Sequence, residues 1–344
     1  MNAVPTLKDV KIVALAGGVG GAKLAHGLAQ IIPAHNLSIL VNVGDDFDHF
    51  GLRICPDLDT VCYTLAGLAN PISGWGLENE SFNVLQAAEK LGGPTWFHLG
   101  DRDLATHLER TRRLRLGAPL SQITSDFCRV WSVEARVLPA TDDNVPTLVH
   151  TEEGILPFQE YFVHQHCQPK VTGFEFANAS TSKPAPGVLA SLIEARLVVF
   201  CPSNPFVSID PILALPGIRS VLQNRRESRK VTVVISPIIG GQTVKGPAAK
   251  MFTESGIEPS ALAVAKHYQG LVDGFILDWV DQRWSEQISA LGIEPLITDT
   301  LMTNAGERSR LAGECVQFGL SLMKKLSTSI TAASTFPAAG GDAL

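Results

Sequence analysis

The chain lacks the features that define several simple protein classes. None of its six cysteines, at positions 55, 62, 128, 167, 201 and 315, forms a C-x-x-C pair, which argues against a zinc site or a redox dithiol. Thiols scattered in this way suit a reducing cytosol, where they serve as small apolar fillers. Positive charge is also scarce: 28 Lys and Arg against 34 Asp and Glu give a formal net charge of −6. That balance argues against a nucleic-acid partner held by bulk electrostatics, although local basic residues can still hold an anionic substrate. No apolar run approaches the ~20 residues that a membrane helix needs. Residues 1–9 lack the basic start, apolar stretch and cleavage site of a secretory signal. We therefore expect a cytoplasmic protein with no membrane partner.

The chain does have the means to bury a core: 344 residues, 45% hydrophobic and only 18% charged. Strand-length apolar runs at Lys11–Ala16, Leu37–Val43, Thr95–Leu99, Arg196–Cys201, Val231–Ser236, Gly274–Leu277 and Pro295–Thr298 alternate with helical spacings. The helical stretches are the one after Gly21, Asp57–Ala69, Leu104–Leu116 and Ala305–Leu326. This rhythm predicts an α/β fold, a doubly wound, Rossmann-like, mostly parallel sheet. Residues 140–194 break it with short segments at Thr147–His150, Tyr161–His164 and Val171–Phe176, and predict a smaller inserted α+β subdomain. The core is then 1–139 with 195–326, and the Ser-, Thr- and Ala-rich residues 327–344 form a flexible tail.

Polar or glycine clusters follow five of the expected strands, at 17–21, 42–46, 100–103, 202–205 and 237–241. In an open parallel sheet such ends share the edge where ligands bind. Gly17, Gly18, Gly20 and Gly21, followed by Lys23, form a turn between strand and helix, and such a turn lets backbone N–H groups approach a phosphate. It is neither a Walker A loop nor a full dinucleotide fingerprint: Leu24 stands where the former has Ser or Thr, and Lys23 replaces the third glycine of the latter. An exposed lysine beside a tight turn is the plainer alternative.

Asp45 and Asp46, then Asp57 and Asp59, are clustered carboxylates that repel one another unless a cation or donor lies among them. Near a phosphate loop they suggest magnesium on Asp45 and on Asp57 or Asp59; helix capping competes for Asp57 and Asp59. Asp101, Arg102 and Asp103 form a third cluster, in which Arg102 offers a bidentate fork and either aspartate could cap the next helix. Arg110, Arg112, Arg113 and Arg115 read as a solvated helix face. Ser203 and Asn204, held between Pro202 and Pro205, make a stiff polar turn suited to a nucleotide or phosphate. Trp75 either stacks on a flat ring or packs in the core.

Taken in order, several segments resemble the 2-phospho-L-lactate transferase family of coenzyme F-420 biosynthesis. They are residues 17–23, 42–46, 54–60, 75–80, 99–107, 202–205, 236–240 and 300–302. The resemblance spans about residues 11–325. It implies a magnesium-dependent transferase that moves a phosphorylated three-carbon acid (phospholactate, phosphoenolpyruvate or phosphoglycerate) from its guanosine-diphosphate form to the deazaflavin alcohol Fo, releasing GMP. It also implies a homodimer. On that reading Asp45, Asp46, Asp59 and Arg102 serve catalysis, and Asp45, Asp57 and Asp59 hold the metal. Gly17, Gly18, Gly20, Gly21, Lys23, Asp57, Trp75, Asp101, Ser203 and Asn204 bind the substrates. A non-catalytic sugar-nucleotide-binding regulator of the gluconeogenesis-factor type is the alternative, and an incomplete fingerprint leaves an NAD-dependent oxidoreductase weaker still.

Overall fold

The structure is a computed structural model, which describes residues 10–333. Seven parallel strands form its main sheet: β1 (Ile12–Ala16), β2 (Leu37–Val41), β3 (Arg136–Pro139), β4 (Leu197–Phe200), β5 (Val231–Ile235), β6 (Gly274–Asp278) and β7 (Glu294–Thr298). Across the sheet they run β3-β2-β1-β4-β5-β6-β7. Leu15 of β1 lies level with Leu40 on one side and Phe200 on the other. β1, β4, β5 and β6 are buried along their whole length, as strands covered on both faces must be. The strand order reverses between β1 and β4, and at such a point the loops leaving the carboxyl ends separate into a crevice. The expected Rossmann-like α/β class is therefore the observed one.

Two expected features differ. Thr95–Leu99 is not a strand. Its aromatic residues instead pack on the small antiparallel ribbon Phe47–His49/Leu52–Ile54, with Phe97 4.8 Å from Phe47 and Trp96 5.1 Å from His49 between ring centres. Side-chain burial, without backbone pairing, explains its β-like composition. The edge strand is β3, whose four residues end in a proline and carry little periodic signal. Gly100–Asp103 thus opens a helix that follows no sheet strand, and four polar clusters remain at the strand ends.

Between β3 and β4 the chain builds a three-stranded antiparallel sheet, with Thr147–Thr151 in the middle and Gly154–Pro157 and Val171–Phe176 on its flanks. Tyr161–His164 belongs to a π-helical turn, Glu160–His164. The small core here joins Val149, Phe158, Tyr161 and Val171 to Val207 and Met251 of the main body.

Four helices position the site: α1 (Gly18–Ile31), α2 (Pro56–Leu65), α3 (Asp101–Arg115) and α4 (Ala305–Ala333). Pro56 opens α2, where its missing N–H costs nothing. α4 runs past Leu326 to Ala333, so the tail expected from residue 327 begins as helix, and residues 334–344 lie outside the described ones. Among the described residues no helix is long and apolar enough to cross a membrane. α1 crosses α4 closely because residue 27 has no side chain; a Cβ there would overlap the Arg308 carbonyl. α2 and α3 are joined by a buried ion pair. Arg110 is only 3% exposed, and both its terminal nitrogens donate to Asp59, at 3.0 Å from Nη1 to Oδ2 and through a second bond from Nη2 to Oδ1. The expected solvated arginine face is therefore left to Arg112, which pairs with Glu109, and to Arg115, while Arg113 is partly buried against Asp126.

Two outcomes follow for stability. Gly27→Ala should lower stability by about 1–3 kcal/mol, because the methyl meets a backbone carbonyl that cannot swing aside. Arg110→Met strands the Asp59 charge and should cost about 3–5 kcal/mol, while replacing both partners by leucine should recover much of that loss. Denaturant melts of the three variants check both expectations.

Candidate active site

The site is assembled where the ends of β1, β2 and β4 meet. Asn42 immediately follows β2, and its N–H donates to the Ala16 carbonyl at the end of β1 (3.0 Å). Its fully buried side-chain amide is the hub. Nδ2 donates to Asp45 Oδ1 (2.8 Å), Asp57 Oδ2 (2.9 Å) and the Val207 carbonyl (3.0 Å). Oδ1 accepts the Gly44 N–H at 2.8 Å, which tightens the turn presenting Asp45. Two hydrogens thus serve three acceptors, two of them carboxylates. Burial first, and the charge of Asp57 second, hold the Asp45 carboxyl well above its ordinary range. Burial pushes Asp57 up to about 6, against the hydrogen bonds from Asn42 and Gly18.

Asp57 also caps α1. Its Oδ1 accepts the Gly18 N–H at 2.6 Å, so a carboxylate of the chain itself occupies the place at the glycine turn where an anion is favoured. The glycines serve this close packing. A Cβ on Gly17 would lie 2.5 Å from Asp57 Oδ2, one on Gly21 2.6 Å from Ser203 Oγ, and one on Gly20 against the Pro202 carbonyl. Gly18 alone of the four has open space, together with a φ of +63° that disfavours any side chain. Ser203, after β4, accepts the Gly17 N–H (3.1 Å) and donates to the Gly17 carbonyl (2.8 Å), which straps the two loops together across the strand-order reversal. Asn204 caps the next turn by accepting the Phe206 N–H at 3.0 Å.

Asp46 points away from Asn42, beside Cys55, Arg53 and Arg110. Burial pushes its carboxyl up to about 7, and its buried Oδ1 has no partner among the described residues. Two clefts meet at this residue. One of about 370 Å³ is lined by Asp46, Asp48, Arg53, Asp142 and Asn144. The other, about 160 Å³, reaches Asp45, Phe47, Thr147 and Phe158. Arg53 spans both, donating to Asn144 Oδ1 at 2.6 Å and lying 3.4 Å from Asp48.

The structure brings Asp45, Asp57, Gly17, Gly18 and Ser203 together, with Asp46 beside them. It does not bring Asp59 to this group. Residues two apart on a helix point in nearly opposite directions, so Asp57 faces α1 while Asp59 faces α3. Asp59, Asp103 and His107 do lie close enough for a shared ion, but both Asp59 oxygens are held by Arg110. Asp103 accepts from Tyr63 Oη (2.6 Å). This second cluster is a polar clamp between two helices.

The remaining residues lie elsewhere. Asp101 caps the helix Asn83–Lys90, accepting from Val84 N–H (3.0 Å), Ser81 Oγ (2.7 Å) and Asn83, and these bonds hold its carboxyl below the usual range. Arg102 is therefore not oriented by its neighbours; its Nη1 donates to the Glu78 carbonyl at 2.7 Å. Trp75 is half-exposed in a loop whose Gly74 rests on Val19. Lys23 is half-buried and donates to the Met302 carbonyl at 2.8 Å. Reading the sequence passed over Asn42 as a site residue, although its place directly after a buried strand and three residues before Asp45 was the available signal. It also passed over Glu80, which accepts the Arg102 and Asp103 N–H groups (2.9 and 2.7 Å) and so caps α3 from a distant loop.

The hard oxygen donors at Asp45 and Asp57 fit a magnesium ion. They are two buried carboxylates in mutual repulsion, on a rigid amide, with no cationic side chain hydrogen-bonded to either.

Comparison with known proteins agrees with this architecture. The family model described as 2-phospho-L-lactate transferase matches residues 12–309. The phosphoenolpyruvate transferase of Streptomyces griseus is 42% identical over 314 residues, covering 90% of this chain and 98% of that protein. That of Thermobifida fusca is 41% identical, covering 92% and 100%, and that of Mycobacterium tuberculosis is 40% identical, covering 84% and 94%. Among solved structures, a member of the UPF0052 family from Bacillus halodurans superposes with a TM-score of 0.58 over 89% of this chain and 99% of that one, at 17% identity, a likeness of fold alone. The chain belongs to the 2-phospho-L-lactate transferase family.

Proposed function

We propose that the protein transfers a phosphorylated three-carbon acid from its guanosine-diphosphate form to the side-chain hydroxyl of the deazaflavin Fo, with release of GMP. The observation that carries this reading is the pair of buried carboxylates, Asp45 and Asp57, held on one asparagine amide at the strand-order reversal. Such a pair favours a divalent cation, and phosphoryl transfer depends on charge neutralisation and positioning more than on covalent chemistry. The name borne by the relatives favours phosphoenolpyruvate as the transferred unit over phospholactate or phosphoglycerate.

In this reading Asp45 and Asp57 hold magnesium, which when bound supplies positive charge to the transferring phosphate. Asn42 keeps the two carboxylates at a fixed separation. Asp46 lines both clefts, and its carboxyl takes the proton of the acceptor hydroxyl, which a carboxyl pushed up to about 7 does better than an ordinary aspartate. The hydroxyl oxygen forms the new bond to phosphorus, and the bond from phosphorus to the GMP oxygen breaks. Arg53 and Asn144 wall the cleft that receives the acceptor.

Incubation with Fo, magnesium and each guanylylated three-carbon acid should yield GMP and a phosphodiester product of matching mass. Absence of product from all three, or full turnover in excess chelator, would overturn the reading. Asp45→Asn keeps the shape and the Asn42 contact, and should lower turnover at least about tenfold at an unchanged melting temperature. Asp59→Asn should do the reverse, lowering the melting temperature through the Arg110 clamp. Steady-state rates and melting curves for the two variants distinguish the metal pair from the clamp.

A further inference from the structure

The glycine turn was expected to cradle a phosphate, yet the Gly18 N–H is already bonded to Asp57. That N–H is therefore not free for an anionic ligand, and the cationic side chains beside α1 are the other source of positive charge there. Lys23, one turn into α1, meets two cations from distant parts of the chain. Arg308 comes from the first turn of α4, where the missing side chain at Gly27 lets the two helices close up. Lys245 comes from the loop after β5, and its Nζ donates to the Ser73 carbonyl at 2.6 Å. A Cβ on Gly74 would lie 2.7 Å from Val19 Cγ1 and 3.6 Å from Lys245 Nζ, which sets Lys245 beside the glycine turn.

None of the three forms an ion pair among the described residues. Lys23 and Lys245 bond only to carbonyls, and Arg308 Nε is buried without a partner. His26 Nδ1, one turn from Lys23 on the same helix face, is likewise buried and unpartnered. The acid nearest in sequence, Glu307, is committed to the Thr303 N–H and hydroxyl (2.6 and 2.7 Å). Burial lowers the Lys23 ammonium from its ordinary value, and the charges of Arg308 and Lys245 lower it further. Glu307 offsets part of this charge at Lys23 without pairing with any of the three, and the remaining like charges repel one another unless a ligand neutralises them.

We propose that Lys23, Lys245 and Arg308 form a phosphate seat distinct from the Asn42 carboxylate pair, one that grips the leaving nucleotide. Resting on the transfer reading, that nucleotide is GMP, whose phosphate gains charge as the bond to the transferred unit breaks. A guanidinium can take two phosphate oxygens at once, and the two lysines can exchange carbonyls for phosphate.

The test is calorimetric titration of the full chain with GMP, guanosine and inorganic phosphate in chelator, at two salt concentrations, so that no metal contributes. GMP should bind at least about tenfold more tightly than guanosine, and less tightly at high salt. Arg308→Met and Lys245→Met should each weaken GMP at least about tenfold while leaving guanosine and Fo affinities unchanged. Arg308→Lys should recover part of the loss. The substituted atoms lie beyond the helix-crossing backbone, and each substitution removes one like charge from the cluster, so melting temperatures should equal or exceed that of the parent. Equal affinities for GMP and guanosine, or GMP affinity indifferent to both substitutions, would overturn the seat even if transfer activity were present. GMP or phosphate binding that depends on Arg308, without transfer from any guanylylated acid, would keep the seat and remove the transfer reading.

Discussion

The carboxylate of Asp57, lodged between the first N–H of α1 and the amide of Asn42, is the contact on which the site is built. Through it the end of β1, the end of β2 and the start of α2 are fixed relative to one another. A carboxylate there satisfies a helix N-terminus that otherwise carries unpaired N–H groups and partial positive charge. The same carboxylate lies in the repulsive field of Asp45. A group with one oxygen stabilised by a helix and the other held on an asparagine amide is rigid. Rigid first contacts are what positioning catalysis requires.

α2 divides two kinds of work. On one side Asp57 binds Gly18 and Asn42 at the strand ends; two residues on, Asp59 anchors the helix through Arg110, and Tyr63 and His107 extend that clamp to Asp103. Three of the glycines at the start of α1, Gly17, Gly20 and Gly21, likewise act as structure, because the Asp57 carboxylate, the Pro202 carbonyl and the Ser203 hydroxyl occupy the space their side chains would need. The insertion between β3 and β4 completes the enclosure. Asn144 and Thr147 line the clefts beside Asp46, and Phe158 closes the smaller one from the insertion's own core.

Much of this was legible beforehand where the signal is local. Buried strands announced themselves by continuous apolar runs, and the polar residues directly after β1, β2 and β4 marked the crevice. Thr95–Leu99 misled because aromatic residues enrich any half-buried segment, whether or not its backbone joins a ladder. β3 escaped because four residues ending in proline hold no period to detect. Arg110 was misassigned because a run of arginines on a helix says nothing about which of them meets a buried acid on another helix.

The sequence by itself determined the fold class, the order of chemistry-bearing segments and the family, since each rests on residue type and spacing along the chain. Only the tertiary structure decided which of five neighbouring aspartates lie together. It joined Asp45 to Asp57 through Asn42, sent Asp59 and Asp103 to a clamp, and left Asp46 facing the clefts. It also gathered Lys23, Lys245 and Arg308, cations separated by more than sixty residues at the nearest pair. The physical reason is that helix rotation and the crossing of α1 with α4 set side-chain direction in three dimensions, and charge interactions depend on distance through space.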